Sequence, residues 1–345
     1  MNSKERVHCT INHCQPDRVP IHIWLTPQIA ARLADEFGAS GIAFEVALGN
    51  DILMPHVGVN RGFDPEVPLG TTYTDEWGIG YRRVHYYNEV VVNPLAHIEN
   101  LADYDWPDPA HPERFRVLDQ MLREYGESHF IAADMSSNFF EICFHLRGME
   151  RFLTDLWLNR PFVEKSIERL LEFDLEVARL AVDRSVDMVW LGSDVASQQA
   201  MIISPALWRD LFKPAMATLV AAIKTQRPGI PLAYHSCGAI RAIIPDLIEI
   251  GIDLLNPIQP LAVGMKPLAL KRDFGAQLTF HGGLDVQQLM PYGSPDAVSA
   301  AVRELLTIMM PGGGYIFSPA HALQPDVPLE NIHAMLDAVW EYGVY

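Results

Sequence analysis

A His-x-Cys pair, His235-Ser236-Cys237, closes the short apolar run Ile230-Pro231-Leu232-Ala233-Tyr234. The run reads as a buried strand. Side chains two apart on a strand point the same way, so His235 and Cys237 project together from one strand end. A neutral imidazole and a thiolate on a shared face are two of the three protein ligands that a catalytic Zn²⁺ takes while keeping a fourth position open. The alternative for the same two residues is a satisfied core histidine beside an inert buried thiol.

The elements that must position such a pair are legible. Apolar runs with β character fall at 19–24, 130–134, 186–191, 231–235, 252–256, 277–281 and 315–318. Between them lie amphipathic stretches. Residues 162–183 carry Val163, Ile167, Leu170, Leu171, Leu175 and Ala178 at helical spacing, and 207–224, 240–250 and 295–309 are further helix candidates. This alternation predicts a parallel sheet with crossover helices. Polar residues gather just beyond the strands: Asp134, Asp194, His235 with Cys237, Asn256 with Gln259, His281 with Asp285, and His321. A (β/α)₈ barrel builds its active site from those C-terminal ends. A doubly wound sheet would prefer a glycine-rich turn after the first strand, and Trp24-Leu25-Thr26-Pro27 supplies none. The expected fold is therefore an α/β TIM barrel forming one domain over 1–345, with the eighth strand sought between Ile42 and Leu53. Residues 55–115 are less regular. There, 71–81 followed by 84–92 reads as a hairpin within an insertion over one barrel rim. Pro311-Gly312-Gly313-Gly314 lacks the Lys-Ser/Thr of a phosphate loop and reads as a flexible turn.

The net charge of −17, with no basic block, argues against nucleic acid, whose binding needs clustered Lys and Arg. It argues equally against a polyanionic substrate unless a few arginines are concentrated in the pocket. No apolar run approaches the roughly 20 residues that span a bilayer, and the charged N-terminus lacks the apolar core of a signal peptide. A cytoplasmic protein is the expectation. The four cysteines, Cys9, Cys14, Cys143 and Cys237, form no CxxC and suit a reducing compartment. His8-Cys9 and His13-Cys14 look like a metal cluster, but on a helix over 3–13 residues five apart diverge by about 140°.

Several stretches, in order along nearly the whole chain, together resemble the uroporphyrinogen decarboxylase superfamily. They are Arg6-Val7 through Gln15-Pro16-Asp17-Arg18-Val19-Pro20, Asp75-Glu76-Trp77-Gly78, Leu146-Arg147-Gly148-Met149-Glu150, and Ile203-Ser204-Pro205 with Lys213-Pro214. The later ones are His235-Ser236-Cys237-Gly238, Gly282-Gly283-Leu284-Asp285, and Ser318-Pro319-Ala320-His321 through Gln324-Pro325-Asp326-Val327-Pro328. The resemblance implies a (β/α)₈ barrel with one deep pocket and one of two chemistries: cofactor-free decarboxylation of uroporphyrinogen, or zinc-dependent methyl exchange with a corrinoid protein. True decarboxylases carry an Arg-Gln-Ala-Gly-Arg-Tyr segment after the first strand to receive substrate carboxylates. The matching Leu25-Thr26-Pro27-Gln28-Ile29-Ala30 has no arginine.

The resemblance therefore points to the methyltransferase branch. It implies zinc held by His235, Cys237 and, where the branch has a second cysteine, His321. Two imidazoles and one thiolate would leave the site a net +1 and a strong Lewis acid. Cobalamin would arrive on a separate corrinoid protein, and a homodimer is an open possibility. Asp51, in Asn50-Asp51-Ile52-Leu53, resembles the decarboxylase aspartate that gathers pyrrole N–H groups, with a turn cap as its alternative. Asp194 and Gln198 resemble substrate-facing positions. Glu141 reads as a general acid, a fourth metal ligand or a partner of Arg147. Asn256 and His281 are substrate-binding candidates, His281 alternatively a core imidazole, and Cys143 reads as core. The competing functions are a decarboxylase of porphyrin biosynthesis and a non-catalytic tetrapyrrole-binding barrel.

Overall fold

A computed structural model describes residues 1–58, 67–84 and 87–345. Ten strands are present among them: β1 (Ile52–Leu53), β2 (Thr72–Thr74), β3 (Gly80–Val84), β4 (Tyr87–Val92), β5 (Phe130–Asp134), β6 (Met188–Gly192), β7 (Leu232–His235), β8 (Leu254–Ile258), β9 (Thr279–Leu284) and β10 (Tyr315–Pro319). Seven form one parallel sheet in the order β1-β5-β6-β7-β8-β9-β10. Its two edges are joined by the segment around residues 19–25. Ile21 bridges in parallel to Phe317 and Leu25 to Leu323, while the Asp51 N–H donates to the Ile21 carbonyl at 2.8 Å. The sheet is thus a closed TIM barrel. The eighth strand sought between Ile42 and Leu53 is β1 itself, only two residues long. The 19–24 run takes part through bridges and through the Asn50 side chain, which accepts from the Ile23 N–H at 2.7 Å.

Period-two alternation fills the barrel. Ile52, Phe130, Ala132, Met188, Trp190, Ala233, Leu254 and Ile316 form an inner cluster, closed from below by Val7. Continuing the same parity one step up each strand reaches Asp134, Gly192, His235, Asn256 and Ser318. The inward stripe therefore changes from apolar to polar at the strand C-termini. Val7 belongs to the helix Ser3–Ile11, which starts at a capping box between Asn2 and Glu5.

The outer helices follow the apolar periodicity. Arg160–Asp183 buries Val163, Ile167, Leu170, Phe173, Val177 and Ala181. Burying each of the Val, Ile, Leu and Phe side chains contributes about 1.5–3 kcal/mol of transfer free energy. The helix expected over 207–224 is split at Phe212 into Pro205–Leu211 and Lys213–Gln226, because Pro214 lacks the N–H that would continue the first. No helix among the described residues is long and apolar enough to cross a membrane.

The expected hairpin is a three-stranded antiparallel sheet, β2-β3-β4, with Thr72 opposite Arg82 and Tyr81 opposite Val90. Asp75 Oδ1 accepts from the N–H groups of Trp77 and Ile79 at the β2–β3 turn. Trp77 packs edge-on against Phe173, with centroids 4.8 Å apart. Residues 59–66 and 85–86 of the expected insertion lie outside the described residues.

Candidate metal centre and its cavity

His235 ends β7, Cys237 follows it, and Asp194 approaches from the loop after β6. One donor atom from each lies within 4.8 Å of the other two. His235 Nε2 is 3.4 Å from Asp194 Oδ1 and 3.9 Å from Cys237 Sγ, and the Cys237 N–H donates to Asp194 Oδ1 at 2.8 Å. Two glycines allow this approach. A Cβ at Gly192 (φ 151°) would sit 2.2 Å from the His235 carbonyl oxygen, and one at Gly238 (φ 85°) would sit 2.4 Å from that of Ser197. Imidazole, thiol and carboxylate around one point form a donor set that suits Zn²⁺ with a coordination position left open.

The electrostatics couple these groups. Burial opposes charge on His235, but hydrogen bonds to Asp194 and Cys237 outweigh it and hold the imidazole pKa well above its usual value. Burial likewise works against the Asp194 carboxylate, and His235 overcomes it, holding the carboxyl below its usual range. Burial pushes the Cys237 thiol up, with His235 offsetting only part. Burial and then the Asp194 charge push the Glu141 carboxyl up. Glu141 stands beside the cluster: its N–H donates to Ser193 Oγ at 2.9 Å, and its Oε2 is 3.4 Å from the Asp194 N–H. The pairing of Glu141 with Arg147 is not formed. Arg147 donates instead to Asp155 at 2.7 Å and to the Leu95 and Ile98 carbonyls at 2.6 Å.

Behind His235 runs a buried file of polar rings. Asn256 Oδ1 is 2.5 Å from His235 Nδ1, and Asn256 Nδ2 is 2.5 Å from His281 Nδ1. His281 Nε2 is 3.1 Å from His22 Nδ1, and the Trp24 indole N–H donates to His22 Nε2 at 2.8 Å. Burial drives the pKa of His22 down to about 3 and that of His281 well below normal, so both rings are neutral.

A cavity of about 470 Å³ opens onto this group. His22, Trp24, Glu45, Asp134, Trp190 and His235 are among its walls, with Phe44, Leu48 and Met54. Asp134 is paired with His56 Nδ1 at 3.1 Å.

The structure distributes the expected site residues unevenly. Asp194, His235 and Cys237 converge, with Glu141 adjacent. His321 falls outside the 4.8 Å cluster, although its burial and the His235 charge lower its pKa from the same neighbourhood. Asn256 and His281 are fully buried and line no part of the cavity, so they reach it through His235 and His22. Gln198 hydrogen-bonds Gln259, which holds the Gly238 N–H at 2.8 Å. Asp51 lies at the opposite, N-terminal end of β1, 0% exposed. Arg6 (2.6 Å), Arg18 (2.7 Å) and the Ile21 N–H (2.8 Å) take up its oxygens, so it has no free atom to offer a substrate. Cys143 is core, as expected. Among the described residues His8, Cys9, His13 and Cys14 form no metal-binding group. Sequence reasoning missed His22, Trp24 and Glu45. The i, i+2 spacing of His22 and Trp24 on the first strand run was the available signal.

Comparison with known proteins places this site in a family. The uroporphyrinogen decarboxylase (URO-D) model matches residues 76–342. The chain belongs to the URO-D family. Among its URO-D relatives, the uroporphyrinogen decarboxylase of Coxiella burnetii (strain Dugway 5J108-111) is 23% identical over 145 residues, 41% of this chain and 38% of that one. The methylated-thiol–coenzyme M methyltransferase of Methanosarcina mazei is 24% identical over 248 residues, 70% of this chain and 63% of that one. The methylcobamide:CoM methyltransferase MtaA of Methanosarcina barkeri is 23% identical over 207 residues, 57% of each. The chain thus spans less than two thirds of the length of these curated relatives. A solved methyltransferase from Methanosarcina mazei superposes with a TM-score of 0.72 at 17% identity, covering 99% of both chains, and shares the fold.

Proposed function

We propose that this URO-D family member is a zinc-dependent methyltransferase that moves a methyl group between a small methylated substrate, or a thiol, and the cobalt of a separate corrinoid protein. The observation that carries the reading is the Asp194–His235–Cys237 cluster, whose His235 lines the cavity. Two curated relatives bear methyltransferase names. The decarboxylase alternative lacks support at the cavity, since neither Lys nor Arg lines it among the described residues. A substrate rich in carboxylates would meet Asp134 and Glu45 there without a cationic partner.

In this reading His235, Cys237 and Asp194 hold zinc, which supplies Lewis acidity toward an oxygen or sulfur of the substrate. The carboxylate and the thiolate balance the two charges of the ion, so the centre is neutral rather than the +1 expected with two imidazoles. Asn256 orients His235 through Nδ1 and leaves Nε2 for the ion. Glu141, whose proton burial retains, delivers or accepts a proton next to Asp194. His321, near enough for the His235 and Asp194 charges to act on it, would help position the substrate rather than hold the ion.

The test combines metal content with turnover. Protein purified without chelator should carry about one zinc per chain, and Cys237→Ala should lose it. Wild type should methylate cob(I)alamin from a methoxy or methylthio compound and leave uroporphyrinogen unchanged. A metal-free wild type that forms coproporphyrinogen would overturn the reading.

A further inference from the structure

Glu45 is a cavity-lining carboxylate that the proposed chemistry does not use. It sits on the short helix Gly41–Ala47, and burial pushes its pKa up to about 7. Among the described residues its side chain has neither a hydrogen-bond nor an ion-pair partner. The other cavity carboxylate, Asp134, is already matched by His56. Among the described arginines of this part of the chain, Arg32 is committed to the Pro325 carbonyl, and Arg6 and Arg18 to Asp51. A carboxylate drawn out of water without a counter-ion is costly, and a ligand that brings a positive charge to it would relieve that cost. The walls beside it are indoles. Trp24 and Trp190 both line the cavity, with ring centroids 5.9 Å apart, and aromatic faces attract cations most strongly when water is excluded.

We propose that the substrate carries a positive charge, an amine or methylated ammonium, at the end remote from the reacting heteroatom, and that Glu45 and the indole faces of Trp24 and Trp190 receive it. The ligand is then bipolar: a thiol, thioether or ether end at His235 and Cys237, and a cationic end at Glu45. Only the first end rests on the methyl-transfer reading. The cavity of about 470 Å³ accommodates a small molecule of that kind. Glu45 is a specificity residue in this scheme, since it touches the part of the substrate that does not react.

Three thiols of similar length and different tail charge decide the matter: cysteamine, 2-mercaptoethanol and 2-mercaptoethanesulfonate. In Co(II)-substituted protein, thiolate binding is read from the cobalt absorption spectrum. Cysteamine should bind at least tenfold tighter than 2-mercaptoethanol, and the sulfonate weakest. Glu45→Gln should bring the cysteamine to mercaptoethanol ratio close to one while cobalt affinity stays unchanged. Equal or tighter binding of the sulfonate, or a ratio unmoved by Glu45→Gln, would sink the proposal. A second arm uses metal-free protein and reads cysteamine against 2-mercaptoethanol by tryptophan fluorescence, in wild type and Glu45→Gln. If cobalt does not bind, the metal reading fails, and this arm still decides the cationic subsite by the same ratio.

Discussion

Asn256 Oδ1 lies 2.5 Å from His235 Nδ1, and as acceptor of the Nδ1 proton it would leave Nε2, which faces Asp194 and Cys237, free for a metal. The amide would then present its N–H to His281 Nδ1, and His281 would donate from Nε2 to His22 Nδ1. His22 would in turn have to carry its proton on Nε2, the atom that accepts from the Trp24 indole N–H in this structure. The orientation that suits a metal at His235 therefore places two donors against each other at the far end of the file. The reverse orientation satisfies every group but puts a proton on His235 Nε2.

Two variants should move metal affinity in opposite directions. Asn256→Ala removes the acceptor that orients His235 and should weaken zinc binding by about 10–100-fold. Trp24→Phe removes the opposing donor and should strengthen zinc binding several-fold, although it deletes a hydrogen bond. Chelator competition measures both. Weaker binding in Trp24→Phe would show that the file does not couple to the metal.

Asp194 and His321 separate on the same measurement. Asp194→Ala should lose most bound zinc, because its Oδ1 belongs to the cluster. His321→Ala should keep zinc near one equivalent and lower methyl transfer. Loss of metal in His321→Ala with retention in Asp194→Ala would restore His321 as the third ligand.

Glu45 gives a pH dependence of known sign. Its folded pKa of about 7 lies above the ordinary 4.5, so the folded state binds the proton more tightly. That contribution to stability is fully present below about pH 4.5 and is lost as pH rises through 7. Glu45→Gln should therefore be more stable than wild type at pH 8, by about 1–2 kcal/mol. The figure is below the full linkage value because the side chain is partly exposed. The advantage should shrink toward zero at pH 4.5, as read by urea unfolding at each pH. Equal stability at pH 8 would show that the carboxylate is not desolvated. A stabilising change that impairs ligand recognition is the usual mark of a binding group.

Asp51 offers a contrast between a structural and a catalytic aspartate. Asp51→Ala leaves Arg6 and Arg18 facing each other in a buried position and should cost about 3–5 kcal/mol in unfolding free energy. The folded fraction should keep its metal. Near-normal stability with abolished turnover would return Asp51 to the chemistry.

The strands and their polar ends were legible because parallel strands buried on both faces form compact apolar runs, and His235, Asn256 and His281 follow the inward parity of those runs. The two-residue β1 is too short to leave a periodic signature, and the division of 71–81 into two strands is set by the turn at Asp75 and by cross-strand pairing rather than by its own pattern. Resemblance brought Asp194 and Glu141 into consideration, but only tertiary approach, through Gly192 and Gly238, sets the distances at the cluster. Asp51 misled because a local motif is blind to Arg6 and Arg18 folding onto it. Glu45 left no trace, since a glutamate on an amphipathic helix reads as solvated until the cavity wall is seen.

The seam that closes the barrel has a consequence for synthesis. The first strand segment pairs on one side with its near neighbour in the chain and on the other with Phe317 and Leu323, roughly 300 residues later. A nascent chain emerging from the ribosome cannot complete that seam until β10 and Leu323 have emerged. Until then its growing sheet has an open edge of unpaired backbone groups. Fragments ending before β10 should consequently aggregate or engage chaperones rather than persist as soluble partial barrels, and the cavity comes into being only once β10 has joined the sheet.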